Sequence, residues 1–454
     1  MEILNRLRNT PENTETLPYV ISRRVAYVVS HSYPFSSNGY AVRTHGVAQG
    51  LQKHGYSVVV FNRPGRPWDL EGFPEGQVER HHEIDGVRYV FFRKPSTKHL
   101  TKARYLTAAT EELKNAFRVF KPIAVIAASD WSNALPAAVA ARELGLPFYY
   151  EVRGFWELSR AAAQPALEQS DVFEETVSRE TEVAILANTV FTLNRFMREE
   201  LVRRGVEGRK IELIPNGHGE LPKLQDHAEG TRAALGIETE YVLGYIGSFA
   251  PYEGLEDLIR ACAGLRAEGV DASVLLIGSG SSLNLAGPKG GACELTTAYR
   301  KLAKNLGISA HVHMPGRVPP GDLPSYYSLI DLFVIPRRPV AVTRLVSPIK
   351  PLEALAYGKT VIVSDVEPLA ELANEVETMR TFRSGDVEAL KQEARELLNA
   401  IYGESGKQQK EVSRQFVSEN YQWDSVVTPV VSGLWKVTSN GRFDSLLPVE
   451  QTNG

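Results

Sequence analysis

A chain of 454 residues with 51 Lys and Arg against 54 Asp and Glu, a formal net charge of -3, lacks the basic excess of a dedicated nucleic-acid binder, so no nucleic-acid partner is expected. Its length suffices for two or three domains, and 43% hydrophobic residues is ordinary for a globular protein. Cys262 and Cys293 offer neither a disulfide framework nor metal-ligand spacing, no apolar run approaches the roughly 20 residues that span a bilayer, and the first 24 residues lack a signal peptide's apolar core; a cytoplasmic protein is expected, with peripheral membrane contact and a homodimer left open.

Residues 1–22 are polar and proline-bearing and are expected to form an extension ahead of a first domain, 23–218. Arg24 to Ser30 (RVAYVVS) reads as a buried strand, and turn, helix and strand follow up to Phe61. The turn Ser36-Ser37-Asn38-Gly39 gives a βαβ unit a glycine-containing first crossover, although not a GxGxxG. VERHHEI and GVRYVFFR read as a hairpin, with His81 and His82 solvated. An amphipathic helix from Thr101 and the short strand PIAVIAAS then place Asp130, Trp131 and Ser132 at a strand's carboxyl end. After a helix stopped by Gly145, FYYEVRGFW is a strand running into a loop that carries Arg153 and Trp156. Trp131 and Trp156 are candidates for stacking on an acceptor sugar. Helix, strand and helix patterns lead on to KIELIPNGHGEL, which closes this half.

Residues 219–240 are polar and unpatterned, hence a linker. Strand and helix alternation restarts over 241–419, so two doubly wound, mostly parallel sheets are predicted, with ligands at the carboxyl ends of strands. The glycine-rich insertion 281–293 is a candidate lid. The densest chemistry lies between the strand patterns LIDLFVIP and TVIVSD. Arg337, Arg338 and Arg344 fall in a loop after the first; Pro348 and Pro351 then fix a helix start, since proline is tolerated where its missing N–H would be unpaired anyway. Free N–H groups and the helix dipole beside Lys350 make an anion site, and Glu353, one turn in, can accept from both hydroxyls of a vicinal diol. A phosphate cradle beside a diol-binding carboxylate describes a sugar-nucleotide site. A final helical region, 420–436, precedes a tail, 437–454.

IPNG at Asn216-Gly217, GYIGSFAPYEG from Gly244 to Gly254 and SPIKPLEALAYGKTVIVSD, in this order, resemble the retaining glycosyltransferase family 4, of GT-B fold. The likeness covers roughly residues 24–436, and YEVRGFW and GSFAPYEG are most similar to a branch from bacterial exopolysaccharide gene clusters. It implies an α/β GT-B architecture in which two Rossmann-like domains face a cleft. The C-terminal one would bind a nucleoside-diphosphate sugar and the N-terminal one a carbohydrate, lipid-linked or small-molecule acceptor, with 420–436 crossing back. By resemblance, Glu353 would hold the ribose hydroxyls. Ser347, Ile349 and Lys350 would face the pyrophosphate and donor sugar, Gly247 and Ser248 would end the diphosphate loop, and the base would lie near Gly316, Arg317 and Val318. Asn38 and Gly39 would meet the donor from the opposite wall, and Arg153 falls where many members have a sugar-contacting histidine.

Three places depart from the family pattern. Ser248 and Glu253 stand where many members carry arginine and lysine, and Leu345 where many carry a first glutamate. Positive charge is then expected from Arg338, Arg344 and Lys350, with Lys350, Arg153 and Arg344 as the catalytic set; the alternative for Arg153 is a structural pairing with Glu151 or Glu157. Retaining transfer by such a site is expected to run front-face and without a metal, uridine or guanosine diphosphate being the expected carriers. His31, His45 and His218 are lesser candidates for a base. A pseudo-glycosyltransferase with a non-sugar coupling partner, or a catalytically silent GT-B subunit, are the competing readings.

Overall fold

The computed structural model describes residues 2–9, 17, 19–70, 73, 79–225, 229–280, 294–400 and 404–439; the candidate lid 281–293 and the tail beyond 439 lie outside these. The first lobe is built on eight strands: β1 (Arg24–Val29), β2 (Ser57–Asn62), β3 (His81–Ile84), β4 (Val87–Val90), β5 (Ala124–Ala128), β6 (Phe148–Val152), β7 (Thr189–Thr192) and β8 (Ile211–Leu213). They run in the order β3-β4-β2-β1-β5-β6-β7-β8, parallel throughout except for the β3–β4 hairpin. Runs such as AVIAA and FYYEV are buried at every position because helices cover both faces of the sheet, which is why they read as continuous rather than alternating apolar segments.

The second lobe repeats the plan with β9 (Tyr241–Ile246), β10 (Ala272–Ile277), β11 (Val312–Gly316), β12 (Leu332–Ile335), β13 (Thr360–Ser364) and β14 (Met379–Phe382), all parallel, in the order β11-β10-β9-β12-β13-β14. β14, whose MRTF is only half buried, and the helix Ala341–Leu345 inside the arginine-bearing loop carry no clear sequence signal. In each lobe the chain leaves the first strand on one side and returns on the other. The crevice this opens at the carboxyl ends, beside β1 and β5 and beside β9 and β12, is where such sheets take ligands.

Two segments expected to be peripheral are part of the packing. Within 1–22, the helix Glu2–Asn9 buries Ile3, Leu4 and Leu7 in the first lobe's core, and Arg6 pairs with Glu143 at 2.6 Å and Glu111 at 2.8 Å. Within 219–240, the helix Glu229–Ala234 leads to Ile237, buried in the second lobe. The crossing-back segment is explicit. Trp423, Val427, Val430 and Leu434 join the first lobe's cluster around Val25, Tyr27, Val47 and Leu51, whereas Trp435 is 66% exposed. Glycines shape the slot for Trp423: a Cβ on Gly46 would lie 2.1 Å from the indole, and one on Gly217 2.8 Å. The two crossing segments pair there, His218 N–H donating to Tyr421 O at 2.6 Å and Trp423 N–H to His218 O at 3.1 Å.

Candidate active site

At the carboxyl end of β9 the chain turns at Gly247 (φ 154°), where a Cβ would lie 2.2 Å from Lys350 Cε; only glycine leaves room for that side chain. The lysine Nζ lies 5.3 Å from the centre of the Tyr245 ring and donates to Glu253 Oε1 at 3.1 Å. Arg337 binds the same carboxylate through both nitrogens of its fork, at 2.9 and 3.4 Å, and donates to Val346 O. Burial pushes the Glu253 carboxyl up, but Arg337 and then Lys350 outweigh it and hold the group down to about 2. Burial pulls Lys350 down and Glu253 opposes it. Glu253, where the resemblance led one to expect lysine, is thus the counter-ion of two cations.

Glu353, on the helix Lys350–Ala356, is half-buried, and among the described residues none donates a hydrogen bond to its carboxylate. Burial raises its pKa and Lys350 lowers it. Tyr327 and Tyr357, stacked at 4.0 Å, lie within electrostatic reach, as does Tyr33 from the first lobe. Arg317 donates to Ser279 at 2.9 Å, and Val318 packs on the second lobe's core. Lys350 and Glu353 share one helix face, three residues apart.

The other expected cations go elsewhere. Arg338 binds Asp257 at 2.7 Å and Glu256 at 3.2 Å; Arg344, half exposed, pairs with Glu367 at 2.5 Å. Each is committed to a carboxylate of its own lobe, so neither guanidinium converges with Lys350. Ser347 and Ile349 latch the lobes together instead of standing open to an anion. Asn194 donates to the Ser347 hydroxyl at 2.7 Å, Asn216 donates to its carbonyl at 3.0 Å, and Ile349 packs into the first lobe against Gly39. Asn38 caps the helix Gly39–Lys53 through Ala41 N–H.

In the first lobe Arg153 is buried and fully engaged. It donates to Glu151 at 2.9 Å, Thr44 at 2.8 Å, Tyr40 O at 3.1 Å and the Tyr27 hydroxyl. Arg43 takes the other Glu151 oxygen at 2.8 Å. Burial would raise Glu151, but the two arginines hold it down at about 2. Arg153 therefore organises the lobe rather than lining the cleft. Trp131 is buried, with Lys102 Nζ 4.1 Å and Arg179 4.5 Å from its ring centre, so its indole seats cations and is no stacking platform. Trp156 stacks on Tyr40 at 5.0 Å and on His31 at 6.4 Å. Burial, then Arg66 and Arg63, push His31 down to about 4, which leaves it neutral at pH 7.

The pattern described as "Glycosyl transferases group 1" matches residues 228–415, and that of "Glycosyl transferase 4-like domain" matches residues 38–217. The chain belongs to the GT-B glycosyltransferases of the family 4 type. D-inositol 3-phosphate glycosyltransferase of Rhodococcus erythropolis is 27% identical over 177 residues, 38% of this chain and 37% of that relative. Sucrose-phosphate synthase from Thermosynechococcus elongatus superposes with a TM-score of 0.71 at 18% identity, over 92% of this chain and 100% of that one. Anabaena HepE in complex with UDP-glucose gives 0.65 at 15% identity, over 91% and 99%. At these identities the structures speak to fold alone.

Among the residues of this glycosyltransferase whose contacts are long-range, Tyr33 and Asn194 carried no motif signal, whereas Arg337 stood among the loop arginines, Tyr245 in GYIGSFAPYEG and Asn216 in IPNG. Among the described residues, no cluster of three or more His, Cys, Asp or Glu could hold a metal ion, and no helix is long and apolar enough to cross a membrane.

Proposed function

We propose that this glycosyltransferase moves a sugar from a nucleoside-diphosphate sugar to a hydroxyl acceptor with retention at the anomeric carbon. The carrying observation is the placement of Glu353, whose carboxylate accepts no hydrogen bond among the described residues, beside Lys350, packed against Gly247, at the carboxyl edge of β9. Glu353 suits the ribose diol, and Lys350 suits the diphosphate. The bound UDP-glucose of the HepE relative supports uridine diphosphate as the first carrier to try.

In the proposed front-face step the acceptor oxygen bonds to the anomeric carbon as the bond to the diphosphate oxygen breaks on the same face. The acceptor proton passes to the departing phosphate. The protein's share is orientation and stabilisation of the growing negative charge, supplied by Lys350, and no metal is invoked.

The test is incubation with UDP-glucose and GDP-mannose, reading nucleotide diphosphate release, with NMR of the product anomer and an EDTA-treated arm. Release with a retained anomer, unchanged by EDTA, supports the reading. An inverted anomer refutes retention, and absence of nucleotide binding in thermal shift refutes the donor site. The salt bridge from Glu253 to Lys350 favours a second reading, a GT-B subunit without turnover. It is distinguished by nucleotide binding without product.

A further inference from the structure

We infer that a cavity of the first lobe, between Trp131 and Trp156, binds an acceptor bearing a negative charge, a phosphate or carboxylate on a sugar-sized body. The inference rests on the transferase reading above and names its acceptor class.

The cavity measures about 320 Å³, within the range of small-molecule sites, and lies at the carboxyl ends of β2 and β5 and beyond β6, on the crevice side of the sheet. Arg63, Lys102 and Arg160 line it, together with the carboxylates of Asp130 and Glu175. The carboxylates are largely occupied. Asp130 Oδ1 caps the helix Trp131–Glu143, accepting from Ser132 N–H at 3.0 Å and Asn133 N–H at 3.3 Å, and Glu175 pairs with Arg179. Behind Arg63, Asp69 serves both Arg63 and Arg66. Among the charged residues that line the cavity three cations face two carboxylates, an excess of one positive charge, and the carboxylates behind them, like Glu175, are already paired with arginine.

Lys102 and Arg160 reach the cavity from exposed positions, and a buried ring holds the first of them. Trp131 is buried and holds Lys102 and Arg179 against its ring. Burial lowers the Lys102 pKa and Arg179 lowers it further, with Glu175 and Asp130 opposing. Glu180, which accepts from Trp131 N–H at 2.8 Å, is pushed up to about 8 by burial and by Asp130, so it stays mainly protonated at neutral pH and cancels none of this charge. Two buried donors are unmet: Arg63 Nε and Trp156 Nε1, both on residues that line the cavity, have no hydrogen-bond partner among the described residues. A buried donor without an acceptor is unfavourable, and a ligand's oxygens would relieve it. A neutral sugar could satisfy the indole, but it would leave the excess charge unanswered.

The test uses glucose, glucose 6-phosphate and glucuronate as probes at constant ionic strength, read by calorimetry and tryptophan fluorescence on the full chain. At least one charged probe is expected to bind about tenfold tighter than glucose, and comparing the two separates phosphate from carboxylate. Lys102→Gln and Arg160→Gln, at exposed positions, are each expected to cut charged-probe affinity about five- to tenfold, with glucose and UDP affinities unchanged. Equal affinity for charged and neutral probes, or variants that weaken all three alike, would overturn the inference. UDP binding in the same samples separates the two readings. Lost charge discrimination with UDP binding intact sinks the anionic acceptor alone; charge-selective binding without UDP binding keeps the cavity and sinks the transferase.

Discussion

Replacing Glu253 by Gln keeps the shape and removes the charge from the centre of the donor site. Glu253 is 3% exposed and is the shared counter-ion of Arg337 at 2.9 Å and Lys350 at 3.1 Å. Removing one partner of a buried ion pair costs about 3–5 kcal/mol, because the cations left behind stay desolvated. The titration gives a similar size. A carboxyl moved from its ordinary 4.5 to about 2 is favoured in the folded state by roughly 3 kcal/mol at about 1.4 kcal/mol per unit. For a lobe of about 180 residues, at roughly 2–4 °C per kcal/mol, melting should fall by about 6–12 °C at pH 7. The folded-state pKa is depressed, so this stabilisation is complete above pH 4.5 and is lost as pH falls toward 2; the gap between wild type and variant should narrow over that window. Differential scanning calorimetry from pH 7 down to pH 3 measures both. A drop under 2 °C at pH 7, or a gap that does not change with pH, refutes the reasoning.

Lys350→Ala should slow diphosphate release by about 10²- to 10³-fold, the usual loss for one preorganised charged donor, while UDP affinity changes far less; near-normal rates would remove Lys350 from the chemistry. Glu353→Ala should weaken UDP binding by about 10- to 100-fold in calorimetry, the worth of hydrogen bonds to a charged acceptor, and a 2′,3′-dideoxy nucleotide should bind wild type and variant alike. His31 should titrate near 4 by NMR. Its lowered pKa means that its contribution to stability is present above 6.5 and is lost as pH falls through about 4; a midpoint near 6.5 would show that burial and the facing arginines do not act as described.

Strand runs, the doubly wound plan and the helix start at Lys350 were legible in the sequence because each rests on local pattern: apolar runs of strand length, proline at a helix's first turn, glycine at its end. The charge bookkeeping of the site was not legible. Arg338 and Arg344 are identical to Arg337 as letters, and only the fold decides that Asp257 and Glu367 claim them while Arg337 turns toward Lys350's counter-ion; for Arg153 the sequence offered Glu151 or Glu157 as a structural partner, and the pairing formed is with Glu151. Glu253 reads in sequence as a lost cation; in space it fixes where two cations stand. The Glu2–Asn9 helix escaped notice for another reason: three apolar residues in eight are too few for a periodicity, although all three are buried.

The crossing-back segment is seated on the first lobe by the slot that Gly46, Gly50 and Gly217 leave for Trp423, and this contact can be tested by changing either side of it. Trp423→Ala removes a buried indole and should cost about 3–5 kcal/mol. Gly46→Ala pushes a methyl to within 2.1 Å of the same ring, an overpacking of about 1–3 kcal/mol. If the slot is the cause of both costs, they cannot add: once the indole is gone, the methyl introduced by Gly46→Ala meets empty space and is tolerated, and it even fills part of the hole. A double-mutant cycle by denaturant unfolding should therefore show the Gly46→Ala penalty vanish in the Trp423→Ala background. Additive penalties within about 0.5 kcal/mol would mean that the glycine serves its own helix rather than the crossing segment.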